Sequence, residues 1–527
     1  MSVRHELTAA TFDSTIKDFR KVLDDEGVLV ETAEVAEFRD PFSYAEWSEF
    51  DPAAVLMPAT VEQVQSIVRV ANERKIPLWI SSQGRNNGYG GPAPRVGGSF
   101  VVSLRRMNRV IEINDESAYA LVEPGVRFLD FYDHLKAGGH KLWMSVPDLG
   151  WGSLVGNTLD HGMGYTPVGD HPSNQCGLEV VLPSGELLRT GMGGMQASKS
   201  WQVYKRSFGP SPDGLFMQSN FGIVTKMGLW LMPEPECYMP GWLTLRHDSD
   251  LELLLEELRP LMLNGTIQNQ PMIINAVCGI SAFTGREQWY QGDGAIPDEV
   301  IERIASQPGM GRWVMRFALY GDETIVERRK EIVSAAFNRI PGAEVSFSKY
   351  AGSAVDELSN PHERVQAGIP SMELDRMTRW YGGEQGGHIG FSCVAPITGR
   401  DGAALRDLVR DGLHNAGLDY SGVIIVSARW MIHVGLVVFD TKDEAQVRTA
   451  YDVCKSLVAP AAQRGYGEYR AHLDFMDLVA DQYDFNNHAQ RRFNELLKDT
   501  LDPNGILAPG KQGIWPKAWR ETPGPRS

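Results

Sequence analysis

The clearest pattern of apolar and polar positions lies between residues 53 and 81. "AAVLMP" (53–58) and "IPLWIS" (76–81) are short apolar runs of strand length. Between them Val64, Ile67, Val68 and Ala71 recur at helical spacing, and Thr60 with Gln63 reads as a capping box. Strand, helix and strand predict a βαβ unit. The period then changes to two in "SFVVSL", "RVIEIN" and "AYALVEPGV", the pattern of half-buried strands. "LEVVLPSGELLRTG" (178–191) predicts a hairpin about Pro183-Ser184-Gly185, and "FGIVTKMGLWLMP" (221–233) a further strand region.

The prolines of "MPEPEC" (232–237) break both helix and ladder and mark a boundary. Beyond it the rhythm is new. Helices are predicted in "DLELLLEELRPLML", "ETIVERRKEIVSAAFNRI" and "GAALRDLVRDGLHNAG", and strands in "GVIIVSARW" and "HVGLVVFD". The chain reads as α+β, and 527 residues exceed what one core organises. No short repeat or low-complexity tract interrupts it.

Composition narrows the function. With 43% hydrophobic and 22% charged residues the chain is of the globular class. A net charge of -16 argues against nucleic acid and anionic membranes, which select basic surfaces. Cys176, Cys237, Cys278, Cys393 and Cys454 are dispersed and form no CxxC pair, so neither a disulfide framework nor a metal site is expected. No apolar leader opens the chain, no apolar run reaches membrane-spanning length, and the end carries no targeting address. The expected location is cytoplasmic.

Three glycine-rich segments are candidate cofactor loops: "SSQGRNNGYGG" (81–91), "PDLGWGSLVGNTLDHGMGYTPVGDH" (147–171) and "LAPGKQGIW" (507–515). None is a Walker A loop, and Gly150, Gly152 and Gly156 lack the spacing of a Rossmann turn. Such loops present backbone N–H groups that suit a phosphate, and Arg85 adds charge. A fourth segment, "GGEQGGHIGFSC" (382–393), sets His388 among glycines. By itself it reads first as a flexible turn with a solvent-facing histidine. The other reading is a histidine pressed against something large and flat.

The segments "GRNNGYGG", "PDLGWGSLVGNTLDHGMGYTP", "LRTGMG", "SNFGIVTKMG", "GGHIGFS", "GYGEYR" and "LDPNGILAPGKQGIW" resemble, in order, those of the vanillyl-alcohol oxidase and eugenol oxidase family of flavoproteins. The resemblance implies a two-part FAD-binding domain, residues 1–236 and 468–527, around a cap domain at 237–467. It assigns Ser82, Gly84, Arg85, Asn86, Asn87 and Gly88 to the pyrophosphate loop. Gly152, Ser153, Gly156, Asn157, Gly162, Gly164 and Tyr165 form the second cofactor segment, with Ile223 and Val224 on the adenine side. Lys511 falls near the flavin, where a cation stabilises its anionic reduced form. His388 becomes the covalent attachment point; the alternative is a non-covalent flavin beside it. The approach "WYGGEQGGHIG" lacks the proline that relatives carry.

The same resemblance gathers Tyr89, Tyr469 and Arg470 on the phenolic oxygen of a substrate. Two hydroxyl donors and a guanidinium would stabilise a phenolate there. The phenolate then eases hydride loss from the benzylic carbon, leaving a quinone methide. Asp148 matches the acid that serves as general base, and Ser392 and Val423 line the substrate pocket. An apolar Val423, where eugenol oxidase-like sequences carry glutamine, favours 4-alkylphenols such as 4-ethylphenol or 4-propylguaiacol over vanillyl alcohol. The implied electron acceptor is O2, giving H2O2, and the implied assembly is a homodimer or larger.

Three rival readings remain. A cytochrome-linked 4-alkylphenol dehydrogenase would attach flavin through tyrosine, against the histidine of "GGHIG". A sugar or alditol oxidase would need no phenol clamp. A flavin-binding protein without catalysis would not need Asp148.

Overall fold

A computed structural model of the chain describes residues 4–43 and 50–520. Among the described residues the strands form sheets of four, five, two and nine. The predicted helix runs Val61–Arg74, capped by the Thr60 hydroxyl, which accepts from the Gln63 amide. The Gln63 side chain returns the bond one residue early, to the Ala59 amide. Its apolar face, Val64, Ile67, Val68 and Ala71, is fully buried.

The strands on either side of this helix, Ala54–Leu56 and Leu78–Ser81, are not neighbours. Both pair in parallel with Phe100–Ser103, which lies between them. That central strand is buried at every position, so its apparent period of two marks no solvent face. This is the expected state of a parallel strand covered on both faces. The 178–191 hairpin forms as predicted, Gln175–Val181 against Leu187–Arg189, and Ile223–Trp230 pairs with the same sheet.

From Cys237 onward the strands belong to the nine-stranded sheet. Its long members are Cys237–Leu245, Trp313–Gly321, Gly386–Pro396 and Trp430–Asp440. The predicted helices Asp250–Leu263, Glu323–Phe337 and Gly399–Asn415 pack against it through leucine and valine faces. The strand Gly467–Arg470 adds to its edge beside Gly386–Pro396.

The chain's last segment returns to the first sheet. The Leu78 amide donates to the Ile506 carbonyl and the Ala508 amide to the Leu78 carbonyl, both at 2.7 Å. Fully buried Lys498 fastens the return. Its ammonium donates to the Asn220 and Leu507 carbonyls and pairs with buried Asp502 at 2.7 Å. A buried lysine is tolerable only when its charge is matched in this way. Asp502 in turn accepts the Ile506 and Leu507 amides.

Replacing Lys498 by Met would strand Asp502 in the core. We expect a loss of about 3 kcal/mol in urea unfolding; a loss below about 1 kcal/mol would contradict the buried-pair account.

Candidate active site

Three loops close around one cavity of about 430 Å³. One leaves the end of Leu78–Ser81, the second carries Pro147 to Tyr165, and the third is the returning tail at Leu507 to Gln512. Of the residues expected at a cofactor, Ser82, Gly84, Arg85, Asn86, Asn87, Gly88, Gly152, Ser153, Gly156, Asn157, Tyr165, Val224, His388 and Lys511 line it. Tyr89, Asp148 and Arg470 share the same surface. Gly162, Gly164, Ile223, Ser392, Val423 and Tyr469 lie off it. Ile223 is buried in the core of the first sheet, and Val423 packs among Ile274, Val314 and Ile432.

Close packing of backbone shapes this cavity. A Cβ on Gly156 would stand 2.1 Å from the Ser82 hydroxyl, so glycine lets the first two loops touch. Ser153 caps the short helix Leu154–Leu159 by accepting the Gly156 amide, and donates to the Pro124 carbonyl. The Asn157 side chain is fixed by His171 Nδ1 at 2.6 Å. Burial pulls His171 down to about 3, so the neutral ring donates from Nδ1 to the Asn157 oxygen.

His388 is not in a flexible turn. It lies in the strand Gly386–Pro396, opposite Val438. Pairing with Trp430–Asp440 along its whole length overrides the glycine signal. Phe42 packs on the ring at 5.3 Å, and a Cβ on Gly88 would stand 2.8 Å from its Nε2. Burial pulls the imidazole down to about 4, with the Asp375 carboxylate opposing that shift. The ring is therefore neutral at physiological pH, with a free lone pair. Its Nδ1 is buried with no hydrogen-bond partner in the protein. His388 lines the cavity, and a neutral ring with an orphaned nitrogen fits attachment to, or contact with, a bound group. Tyr381, just before this strand, instead accepts the Asp419 amide with its hydroxyl oxygen and lies off the cavity.

The three residues expected at a phenolic oxygen lie next to one another. The Arg470 guanidinium sits 5.0 Å over the Tyr89 ring and 5.4 Å from that of Tyr469. Its Nε donates to the Asp160 carbonyl at 2.8 Å, and Nη2 bonds the same oxygen. Asp160 also faces Lys511, at 3.8 Å. The Tyr89 hydroxyl lies 3.4 Å from Ser392 Oγ. Burial, with Tyr469 beside it, pushes the Tyr89 hydroxyl up, so it stays protonated and able to donate. Behind them, burial holds the Glu468 carboxyl well above the usual carboxylate range. A neutral Glu468 does not repel an anion at the clamp.

Asp148 is held from two directions. Tyr165 donates to Oδ2 at 2.6 Å, and Arg316 donates to Oδ1 at 2.5 Å. Arg316 also stacks on the Tyr165 ring at 4.1 Å and bonds His362 Nδ1 at 2.7 Å. Burial pushes Tyr165 well above its ordinary value and His362 well below. Tyr165 is thus a donor and His362 a neutral acceptor. Sequence reasoning missed Arg316, His362, Asp160 and Asp375. A signal existed for Arg316 alone, the single cation within the apolar strand "WVMRFALYG".

The protein-family model for an FAD binding domain matches residues 52–191. The chain is 36% identical to the 4-cresol dehydrogenase [hydroxylating] flavoprotein subunit of Pseudomonas putida, over 96% of each chain. The structure of 4-ethylphenol oxidase from Gulosibacter chungangensis, in complex with isoeugenol, superposes with a TM-score of 0.93. It is 37% identical and covers 98% of this chain and 100% of its own. Substrate-bound p-cresol methylhydroxylase gives 0.92 at 34% identity, covering 98% and 99%.

Gly88→Ala would drive a methyl into the His388 ring. We expect less flavin absorbance per polypeptide with unchanged circular dichroism; full flavin content would contradict the close approach.

Proposed function

Given that the chain belongs to the FAD-dependent oxidoreductase family of the 4-cresol dehydrogenase flavoprotein subunit, we propose that it oxidises 4-alkylphenols at the benzylic carbon, with O2 as acceptor. The observation that carries the reading is that Tyr89, Arg470 and Asp148 share one cavity, with Tyr469 packed beside Arg470. Bound FAD, cradled by the 82–88 and 152–157 segments, supplies the hydride acceptor. Arg470 and the two tyrosine hydroxyls hold the substrate's phenolic oxygen. That placement favours its anion, whose electrons ease hydride loss. The resulting quinone methide is electrophilic at the benzylic carbon. Asp148 takes a proton, either from a water that adds there, giving an alcohol, or from the neighbouring carbon, giving an alkene.

We assign His388 as the covalent link to FAD. Its neutral ring and unpartnered Nδ1 support this reading. A histidine rather than Tyr381 at the cavity favours the oxidase over the cytochrome-linked reading. Within this proposal residues 1–236 and 468–527 form the FAD-binding domain and 237–467 the cap. The small phenol is the substrate, the protein works as a homodimer or larger homo-oligomer, and its location is cytoplasmic. No helix among the described residues is long and apolar enough to cross a membrane.

The test is oxygen uptake by the purified yellow protein with 4-ethylphenol. Uptake matched by H2O2, with flavin retained in the acid-precipitated pellet, is the expected result. Flavin reduction with electrons passed only to a cytochrome would overturn the oxidase assignment. Arg470→Met should lower kcat/KM on the order of 10²-fold while flavin content is unchanged. A loss below about threefold would remove Arg470 from the clamp.

A further inference from the structure

We propose that Arg316, braced by His362, is the positioning residue that fixes Asp148 and thereby sets how the quinone methide is discharged. The inference rests on the reading of Asp148 as the proton acceptor. Arg316 is 2% exposed and comes from the strand Trp313–Gly321, far in sequence from Asp148. Asp148 lines the cavity, whereas Arg316 and His362 do not. Arg316 therefore acts through Asp148 and not on the substrate.

The geometry leaves the carboxylate little freedom. One oxygen accepts from Arg316 and the other from Tyr165. Rotation about the carboxylate axis would break a short bond on each side. Arg316 is itself fixed by His362 through its other terminal nitrogen and by stacking on Tyr165. The Trp242 ring meets His362 edge-on at 5.5 Å. This is the support that a reacting group needs to be held in one direction.

The direction matters because the quinone methide has two exits. In one, water's oxygen bonds the benzylic carbon, its proton passes to Asp148, and the exocyclic double-bond pair returns to the ring as phenolate. In the other, Asp148 removes a proton from the adjacent alkyl carbon, that C–H pair becomes the alkene, and the ring again recovers the phenolate. The two protons lie at different places. A carboxylate held in one orientation serves them unequally, and a rotating one serves both.

The experiment measures products and half-reactions with 4-ethylphenol for the parent, Arg316→Met and His362→Phe holoenzymes. The expected Arg316→Met enzyme reduces its flavin anaerobically within about threefold of the parent rate, since the phenol clamp is intact. Its alcohol-to-alkene ratio changes at least about fivefold, and added guanidinium moves that ratio back toward the parent value. His362→Phe should shift the ratio in the same direction by a smaller factor. If Arg316→Met does not fold, His362→Phe decides alone. An unchanged ratio in the folded variant, or loss of flavin reduction together with turnover, would overturn the assignment. A parent that fails to reduce its flavin with 4-ethylphenol would sink the proposed function instead, so the two failures are distinguishable.

Discussion

A guanidinium buried in a sheet must find an anion, and in this fold the anion comes from the other half of the molecule. Arg316 lies in the nine-stranded sheet, Asp148 and Tyr165 in a loop of the first half, and the three form one unit at 2.5 to 2.6 Å. Leaving the Arg316 guanidinium alone in the interior would cost several kcal/mol. The sheet therefore docks with Asp148 in one place. That contact fixes the part of the cavity wall that carries Asp148 and Tyr165. Lys498 performs a matching task by tying the returning tail to Asn220.

Burial sets the protonation of the cavity in a consistent direction. His171, His362 and His388 are all pulled down and neutral. Tyr89 and Tyr165 are pushed up and remain donors. Arg470 keeps its charge despite burial, helped by the tyrosines and Asp160. The region around the clamp thus offers donors and positive charge, while the carboxylate of Asp148 is separately neutralised by Arg316. Such an arrangement suits a substrate that is anionic at one end and loses hydride at the other.

What could be read from the sequence was what is local. The Thr60 cap, the Val64–Ala71 helix face and the Pro183-Ser184-Gly185 hairpin are short-range features, and each forms. The placement of Phe100–Ser103 between two earlier strands could not be read, because parallel order is decided by long-range packing. The glycines about His388 suggested a turn, but pairing to Trp430–Asp440 makes the segment a strand. In the site, loop residues such as Ser82 and Gly156 were legible through glycine and serine motifs. Arg316 and His362 were not, because nothing near them in the chain announces the carboxylate they meet. Tyr469 and Ser392 lie just off the cavity surface, where a spacing argument has no resolution.

The central claim is that the cavity activates its substrate as a phenolate. The most direct test is anaerobic mixing with 4-ethylphenol and, separately, with its O-methyl ether, following the flavin absorbance. The account predicts bleaching by the phenol and none by the ether, which cannot ionise at the clamp. Equal bleaching by both would contradict it.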